Sequence, residues 1–173
     1  MNKNQELINH IEAKNAETLA WIAEDPKNRW AGLYPTDPAH WAERGISTLA
    51  ELERDELITF IYDGHKDAYG FRNRGYDFDS MSMDELKVEA DRISDAIETE
   101  NKRMDEYYAE NTAQFEKRVA EYESMAGSRE NAIRWILQAD GLDNEYDPQY
   151  ICYSLGLPYS MSEDFHKFIK EAS

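Results

Sequence analysis

Residues 63–67 hold side-chain types that bind metals and act as acids and bases. Asp63, His65 and Asp67 alternate along the chain, and carboxylate and imidazole groups are common ligands of transition metals. Alternate residues of a helix do not share a face, so only Asp63 and Asp67 would lie together. The spacing therefore disfavours a metal site, and a small enzyme or metal protein centred on His65 and Asp67 is the weakest of three interpretations.

The same segment continues into a cationic stretch. Residues 65–75 set Lys66, Arg72 and Arg74 against a single acid, Asp67, in a chain of net charge -17. In an extended segment the two arginines would point the same way, and paired guanidinium groups match carboxylates or phosphates. Two alternatives stay open: the arginines contact a partner, or they pair with acids of their own chain.

No other part of the sequence indicates catalysis. The four histidines are scattered, and Cys152 lies in an apolar helical run, which predicts a buried, inert thiol. Acidic residues are too abundant for a carboxylate pair to carry a catalytic signal, and no glycine-rich phosphate loop is present. We therefore predict no enzyme activity, no cofactor and no metal.

The string at 65–75 reads H-K-D-A-Y-G-F-R-N-R-G and resembles a recurring motif of small uncharacterised proteins of tailed bacteriophages. The typical form of that motif is H-K-D-x-Y-G-F-R-P-R, so Asn73 stands where proline is usual. The resemblance extends to residues 37–42, 129–135 and 156–159. It implies a bacteriophage origin and action in the cytoplasm of the host, and it brings no catalytic residues to this chain.

Composition limits the classes of partner. Of the 173 residues, 36 are acidic and 19 are lysine or arginine, while 41% are hydrophobic. An anionic surface repels phosphate backbones and anionic membranes, so direct nucleic-acid or membrane binding is disfavoured and a protein with a basic surface is favoured. One cysteine permits no internal disulfide, and no signal peptide is evident, which favours the cytoplasm.

Helical periodicity and capping signals predict an all-α fold in a single domain over residues 1–173, with one long helix or a helical hairpin packed with several shorter helices. The predicted helices cover about 3–24 and 38–44, and a third is predicted to open at a capping box, Thr48–Glu51, and to end at Gly70. A capping box at Ser82–Glu85 then opens a helix over 83–126, and short helices follow from Ser128, Asp147 and a further capping box at 160–163.

The long helix over 83–126 raises a question of size. At about 1.5 Å per residue it would be roughly 66 Å long, whereas a compact domain of this size is about 30–40 Å across. It must therefore protrude, pair with another helix or break, and the weak helix formers Asn111 and Thr112 are the expected place for a break. Gly64 either bends its helix or permits close packing.

Charge density tests whether the chain mimics DNA. The long helix holds 13 acids and 6 cations, or one acid per about 5 Å, against one charge per about 1.7 Å in DNA. This density permits partial mimicry without requiring it. Exposed tyrosines amid acids suit protein binding, although Tyr107 and Tyr108 would equally suit packing against the N-terminal helix.

These observations predict an acidic phage early protein that binds and inhibits a host defence or nucleic-acid-processing protein in the host cytoplasm. The alternative is a structural or assembly protein whose long helix forms a homodimer or joins a larger complex. The candidate partner-binding residues are His65, Lys66, Asp67, Tyr69, Arg72, Arg74, Tyr107 and Tyr108.

Overall fold

The computed structural model describes the backbone of residues 3–169 and the side chains of residues 4–169, and within this range the regular structure is helical. The predicted all-α fold with one long helix is confirmed. The α-helices are α1 (Lys3–Glu24), α2 (Pro38–Glu43), α3 (Leu49–Tyr69), α4 (Met83–Ala126), α5 (Arg129–Ala139), α6 (Pro148–Leu155) and α7 (Ser162–Phe165). Short 3-10 turns lie at Phe78–Ser80, Tyr159–Met161 and His166–Phe168.

Packing divides the chain into two compact units, residues 1–97 and residues 98–173. Helix α4 supplies its first part to unit 1 and the remainder to unit 2. The expected single domain over 1–173 stays a prediction. Its residues 1, 2 and 170–173 lie outside the described residues.

The core of unit 1 has two clusters that follow from the apolar spacing of α1, α3 and α4. In one, α1 packs with α3 and the α2 region through Leu7, Ile8, Ile11, Trp41, Ile46 and Leu52. In the other, α3 and the start of α4 meet through Ile61, Leu86, Ala90 and Ile93. A Cβ atom at Gly64 would lie 2.8 Å from Cγ2 of Ile93, so this glycine permits close helix packing.

The core of unit 2 forms around the second half of α4. Buried apolar side chains from α4 to α7 make it: Phe115, Val119, Ala132, Ile133, Ile136, Leu137, Ile151, Cys152, Leu157 and Phe165. Burial raises the pKa of the Cys152 thiol, which disfavours the thiolate. The prediction that Cys152 is buried in a helix is confirmed.

Most predicted helix starts are formed by the predicted side chains. Thr48 and Glu51 make a reciprocal capping box, and Ser82 and Glu85 make the same pair of contacts. The capping box predicted at 160–163 is wrong. Ser160 lies within a 3-10 turn, and α7 begins after Met161 without a side-chain cap, because an N-cap residue needs an extended backbone that this turn does not provide.

Of the two alternatives, one long helix is confirmed, because α4 does not break at Asn111 and Thr112, the place expected for a hairpin turn. The Asn111 amide Nδ2 donates to the carbonyl of Gly156 at 3.1 Å. The Thr112 hydroxyl lies 3.8 Å from Sδ of Met161. These contacts within unit 2 offset the low helix propensity of the two residues.

Candidate functional site

The loop that follows α3, residues 70–76, is folded against the end of its own helix and is called the arginine loop below. Gly70 ends α3 with a φ of 80°, and its N–H donates to the carbonyl of Lys66 at 2.8 Å. A left-handed residue at this place favours glycine. The predicted helix end is therefore confirmed, and it turns the chain back along α3.

His65 fixes the arginine loop from the inside. Its side chain is buried, with 6% of its surface exposed, and its Nδ1 lies 2.7 Å from the carbonyl oxygen of Phe71. The rings of Tyr69 and Phe71 lie 4.6 and 4.9 Å from the imidazole, and Tyr76 lies 6.1 Å away. A burial this complete makes His65 a structural anchor of the loop rather than an accessible contact residue.

The two arginines of the loop differ in their partners. Arg72 places Nε 3.1 Å and Nη2 3.0 Å from Oδ1 of Asp63, and its guanidinium lies 5.6 Å from the centre of the Tyr62 ring. Arg72 therefore pairs with its own chain, one of the two alternatives that the sequence left open. Arg74 is exposed and makes no hydrogen bond or ion pair with any residue of the described range 3–169.

An open cleft of about 460 Å³ lies beside Arg74 and is called the arginine cleft below. Its aromatic wall includes Tyr76 and Phe78, whose rings stack with centroids 4.9 Å apart and planes 18° apart. Its lining residues are Ile58, Thr59, Tyr62, Asn73, Arg74, Tyr76 and Phe78. The cleft combines a cation, polar groups and apolar rings, which is the composition of many small-molecule sites.

A polar network supports the aromatic wall. The Tyr76 hydroxyl donates to the Glu89 carboxylate, which also accepts a 2.9 Å hydrogen bond from Nε of Arg92. The hydrogen bond from Arg92 lowers the pKa of the Glu89 carboxyl. Partial burial, followed by the hydrogen bond to Glu89, raises the pKa of the Tyr76 hydroxyl. At neutral pH Tyr76 is thus protonated and Glu89 is ionised and paired.

The remaining predicted residues of this segment lie on the surface of α3. Lys66, Asp67 and Tyr69 are exposed, and Tyr69 shows 43% of its surface. Within residues 3–169, no three histidine, cysteine or carboxylate side chains are grouped as metal ligands. The structure therefore brings His65, Tyr69 and Arg72 together around one loop but does not gather Asp63, His65 and Asp67 into a ligand set.

Tyr107 and Tyr108 lie in unit 2, on the edge of a second cleft of about 160 Å³. Their rings meet edge to face with centroids 5.6 Å apart. This tyrosine cleft is lined by Met104, Tyr107, Tyr108, Tyr153, Gly156, Leu157 and Tyr159. Both predicted tyrosines therefore face the segment that follows α6.

Gly156 allows the close approach that shapes the tyrosine cleft. It ends α6 with a φ of 66°, and a Cβ at this position would lie 2.7 Å from the Tyr107 hydroxyl. The rim is open to solvent, since Tyr107, Tyr153 and Tyr159 expose 46%, 70% and 55% of their surfaces. The cleft therefore presents aromatic rings that a partner can reach.

Some aromatic residues of the clefts and of the surface were not predicted as site residues. Tyr76 and Phe78 line the arginine cleft, and their alternate spacing would have placed them on one side of an extended segment. Trp30, in the loop between α1 and α2, exposes 86% of its surface. An isolated tryptophan in a loop carries no periodic signal, so sequence gives no basis for judging its exposure.

Comparisons with protein-family models, curated proteins and solved structures gave no match to this chain. The bacteriophage resemblance of residues 65–75 therefore stays a prediction from the motif alone. None of the described helices is both long enough and apolar enough to cross a membrane.

Proposed function

We propose that this protein is a non-enzymatic bacteriophage protein that binds a basic surface of a host protein in the host cytoplasm and inhibits it. The observation that carries the proposal is the exposed tyrosine cleft on an acidic unit. Residues 98–173 contain 16 acids and 8 lysines or arginines. Three tyrosines of the cleft, Tyr107, Tyr153 and Tyr159, are more than two-fifths exposed.

Tyrosine suits such a contact for physical reasons. Its ring gives a large contact area with few rotatable bonds, and its hydroxyl provides a hydrogen bond at the edge. The electron-rich ring face also attracts lysine and arginine side chains, and the attraction strengthens when water is excluded. A basic partner could therefore be drawn by the acidic surface and held by the tyrosine rings.

Partial DNA mimicry is a narrower form of this proposal. Several acids are already paired with arginines of the chain, including Glu116 with Arg129 at 2.6 Å and Asp140 with Arg118 at 3.0 Å. Such pairing lowers the charge available to a partner. We therefore assign long-range attraction to the acidic surface and specificity to the tyrosines.

The exposed side chains of α4 give less support to homodimerisation through this helix than to the binding of a different protein. Between Ile97 and Tyr107 the only apolar side chain is Met104, which is half-buried. A paired-helix interface needs an apolar seam that repeats along the contact. The middle of α4 does not offer one, so we favour a different protein as partner.

The experiment combines capture, salt dependence and inhibition. The tagged protein is used to capture partners from a bacterial host lysate, and the captured protein is purified and assayed with and without the chain. We expect binding that weakens steeply between about 0.1 and 0.5 M salt, together with inhibition of the partner's own activity. Capture that is insensitive to salt, or that leaves the partner fully active, would contradict the proposal.

Matched tyrosine variants test where the contact lies. Tyr153 and Tyr146 expose 70% and 68% of their surfaces, but only Tyr153 lines the tyrosine cleft. We expect Tyr153→Ala to weaken partner binding about 10-fold or more, which is typical of an interface hot spot, and Tyr146→Ala to change it less than about 3-fold. Equal effects of the two variants would remove the tyrosine cleft from the interface.

A further inference from the structure

We propose that the arginine cleft binds a small ligand that joins one anionic group, a carboxylate or a phosphate, to a planar ring system. Arg74 would bind the anionic group, and the rings of Tyr62, Tyr76 and Phe78 would contact the planar part. This site would bind a small molecule and not a protein surface. The proposal does not depend on the proposed inhibition of a host protein.

Arg74 differs from every other arginine of the chain in its lack of a partner within residues 3–169. Every other arginine donates to an acceptor of its own chain, as expected where acids outnumber lysines and arginines by 36 to 19. Across residues 3–169, Arg74 is the only arginine without such an acceptor. The paired arginines are Arg29, Arg44, Arg54, Arg72, Arg92, Arg103, Arg118, Arg129 and Arg134.

Two acids that contact the arginine loop are already paired with arginines other than Arg74. Asp63 lies 3.0 Å from Nη2 of Arg72, and Glu89 is held by Arg92 beneath Tyr76. No carboxylate is among the residues that line the arginine cleft. An anionic group placed against Arg74 would therefore meet an unopposed guanidinium, whose planar fork matches carboxylate and phosphate oxygens.

The size and composition of the arginine cleft suit a small ligand. Its volume of about 460 Å³ falls within the usual range for small-molecule sites, about 300–1,000 Å³. Its lining includes the aromatic rings of Tyr76 and Phe78, which stack on each other, and Thr59 and Asn73 supply polar groups. Unit 1 holds 20 acids and 11 lysines or arginines, which favours one anionic group over a polyphosphate.

Calorimetric titration of the full chain tests the site with two probes. Indole-3-acetate carries a carboxylate on a planar ring, and adenosine 5′-monophosphate carries a phosphate on another. We expect saturable binding of at least one probe, and at least about 10-fold weaker binding of its neutral parent, 3-methylindole or adenosine. The probe that binds more tightly identifies the preferred anion.

Three variants assign the binding to Arg74. Arg74→Gln should weaken binding of the probe about 10-fold or more. Arg74→Lys should weaken binding less, because lysine keeps the charge but lacks the guanidinium fork. Arg103→Gln is the control, since Arg103 is a similarly exposed arginine of unit 2. Thr59→Trp should block binding without changing any charge, by filling the cleft that Thr59 lines.

Thermal unfolding is measured for every variant. We expect the melting temperature of Arg74→Gln to match that of the unsubstituted chain because Arg74 has no partner among residues 3–169 to lose. Absence of saturable binding of either probe to the folded chain would overturn the proposal. Binding that survives Arg74→Gln unchanged, or that falls equally in Arg103→Gln, would overturn it as well.

Discussion

The arginine loop of unit 1 and the tyrosine cleft of unit 2 use their conspicuous side chains in opposite ways. At the loop, the α3 residue His65 is buried against the Phe71 carbonyl and Arg72 is paired with Asp63. In the cleft, Tyr107 and Tyr153 leave about half or more of their surfaces exposed. The first region uses side chains of binding type to hold its own backbone, and the second keeps them accessible.

This contrast shows that the type of a side chain does not decide whether it is accessible to a partner. Histidine and arginine are frequent in functional sites, yet among the histidine and the two arginines of residues 65–76 only Arg74 combines exposure with the absence of a partner in the described chain. Buried polar groups need partners within the protein, so a loop that buries a histidine must supply one. Substitutions can measure this difference, because those at anchors should lower stability and those at accessible side chains should not.

Replacement of His65 by alanine should have the largest effect on stability. The change removes the hydrogen bond to the Phe71 carbonyl and leaves a cavity among the rings of Tyr69 and Phe71. We expect the free energy of unfolding to fall by about 2–4 kcal/mol. Denaturant unfolding monitored by circular dichroism measures the change.

His166→Ala is the matched control for that experiment. The His166 side chain is 54% exposed, so its replacement should change the free energy of unfolding by less than about 0.5 kcal/mol. If His65→Ala were as stable as His166→Ala, the arginine loop would not depend on its histidine, and the contrast between the two regions would fail.

Gly156→Ala should have the next largest effect and tests the tyrosine cleft. Gly156 has a φ of 66°, and an added Cβ would lie 2.6 Å from Nδ2 of Asn111. Gly141 has a φ of 73° but has no atom within 4 Å of the added Cβ. Gly141→Ala should therefore cost only the left-handed backbone penalty of about 1 kcal/mol, and Gly156→Ala about 2–3 kcal/mol.

The two glycine variants also differ in their expected spectra. Relief of the contacts at Gly156 requires both Asn111 and Tyr107 to move, so the near-ultraviolet circular dichroism of the tyrosines should change in Gly156→Ala and not in Gly141→Ala. Equal losses of stability with unchanged spectra would show that Gly156 serves only to end α6.

The fold was largely predictable because its signals are local. Thr48 with Glu51, and Ser82 with Glu85, set helix starts through contacts three residues apart. Gly70 and Gly156 end helices through their own left-handed backbone. Such interactions depend on neighbouring residues alone, so a sequence reveals them. The start of α7 was missed because the preceding 3-10 turn holds Ser160 in a conformation that capping cannot use.

The candidate sites were less predictable because they depend on contacts between distant positions. Sequence spacing placed Arg72 and Arg74 on one side of an extended segment, but it could not show that Asp63 pairs with the first of them. It likewise could not show that Tyr108 faces the segment containing Gly156. In a chain with 36 acids, only the folded geometry decides which carboxylate meets which cation.

A double-mutant cycle on Arg72 and Asp63 should reveal the smallest effect and gives the finest test of the contrast. The two side chains are 45% and 56% exposed, so solvent screens their attraction and we expect a coupling energy of about 0.5 kcal/mol. The coupling should decrease when salt is raised from about 0.1 to 1 M. The same cycle on Arg74 and Asp63 is the control and should give no coupling within error. Comparable coupling in both cycles would mean that Asp63 attracts the whole loop electrostatically, and Arg74 would then no longer stand apart as the arginine free to bind a ligand.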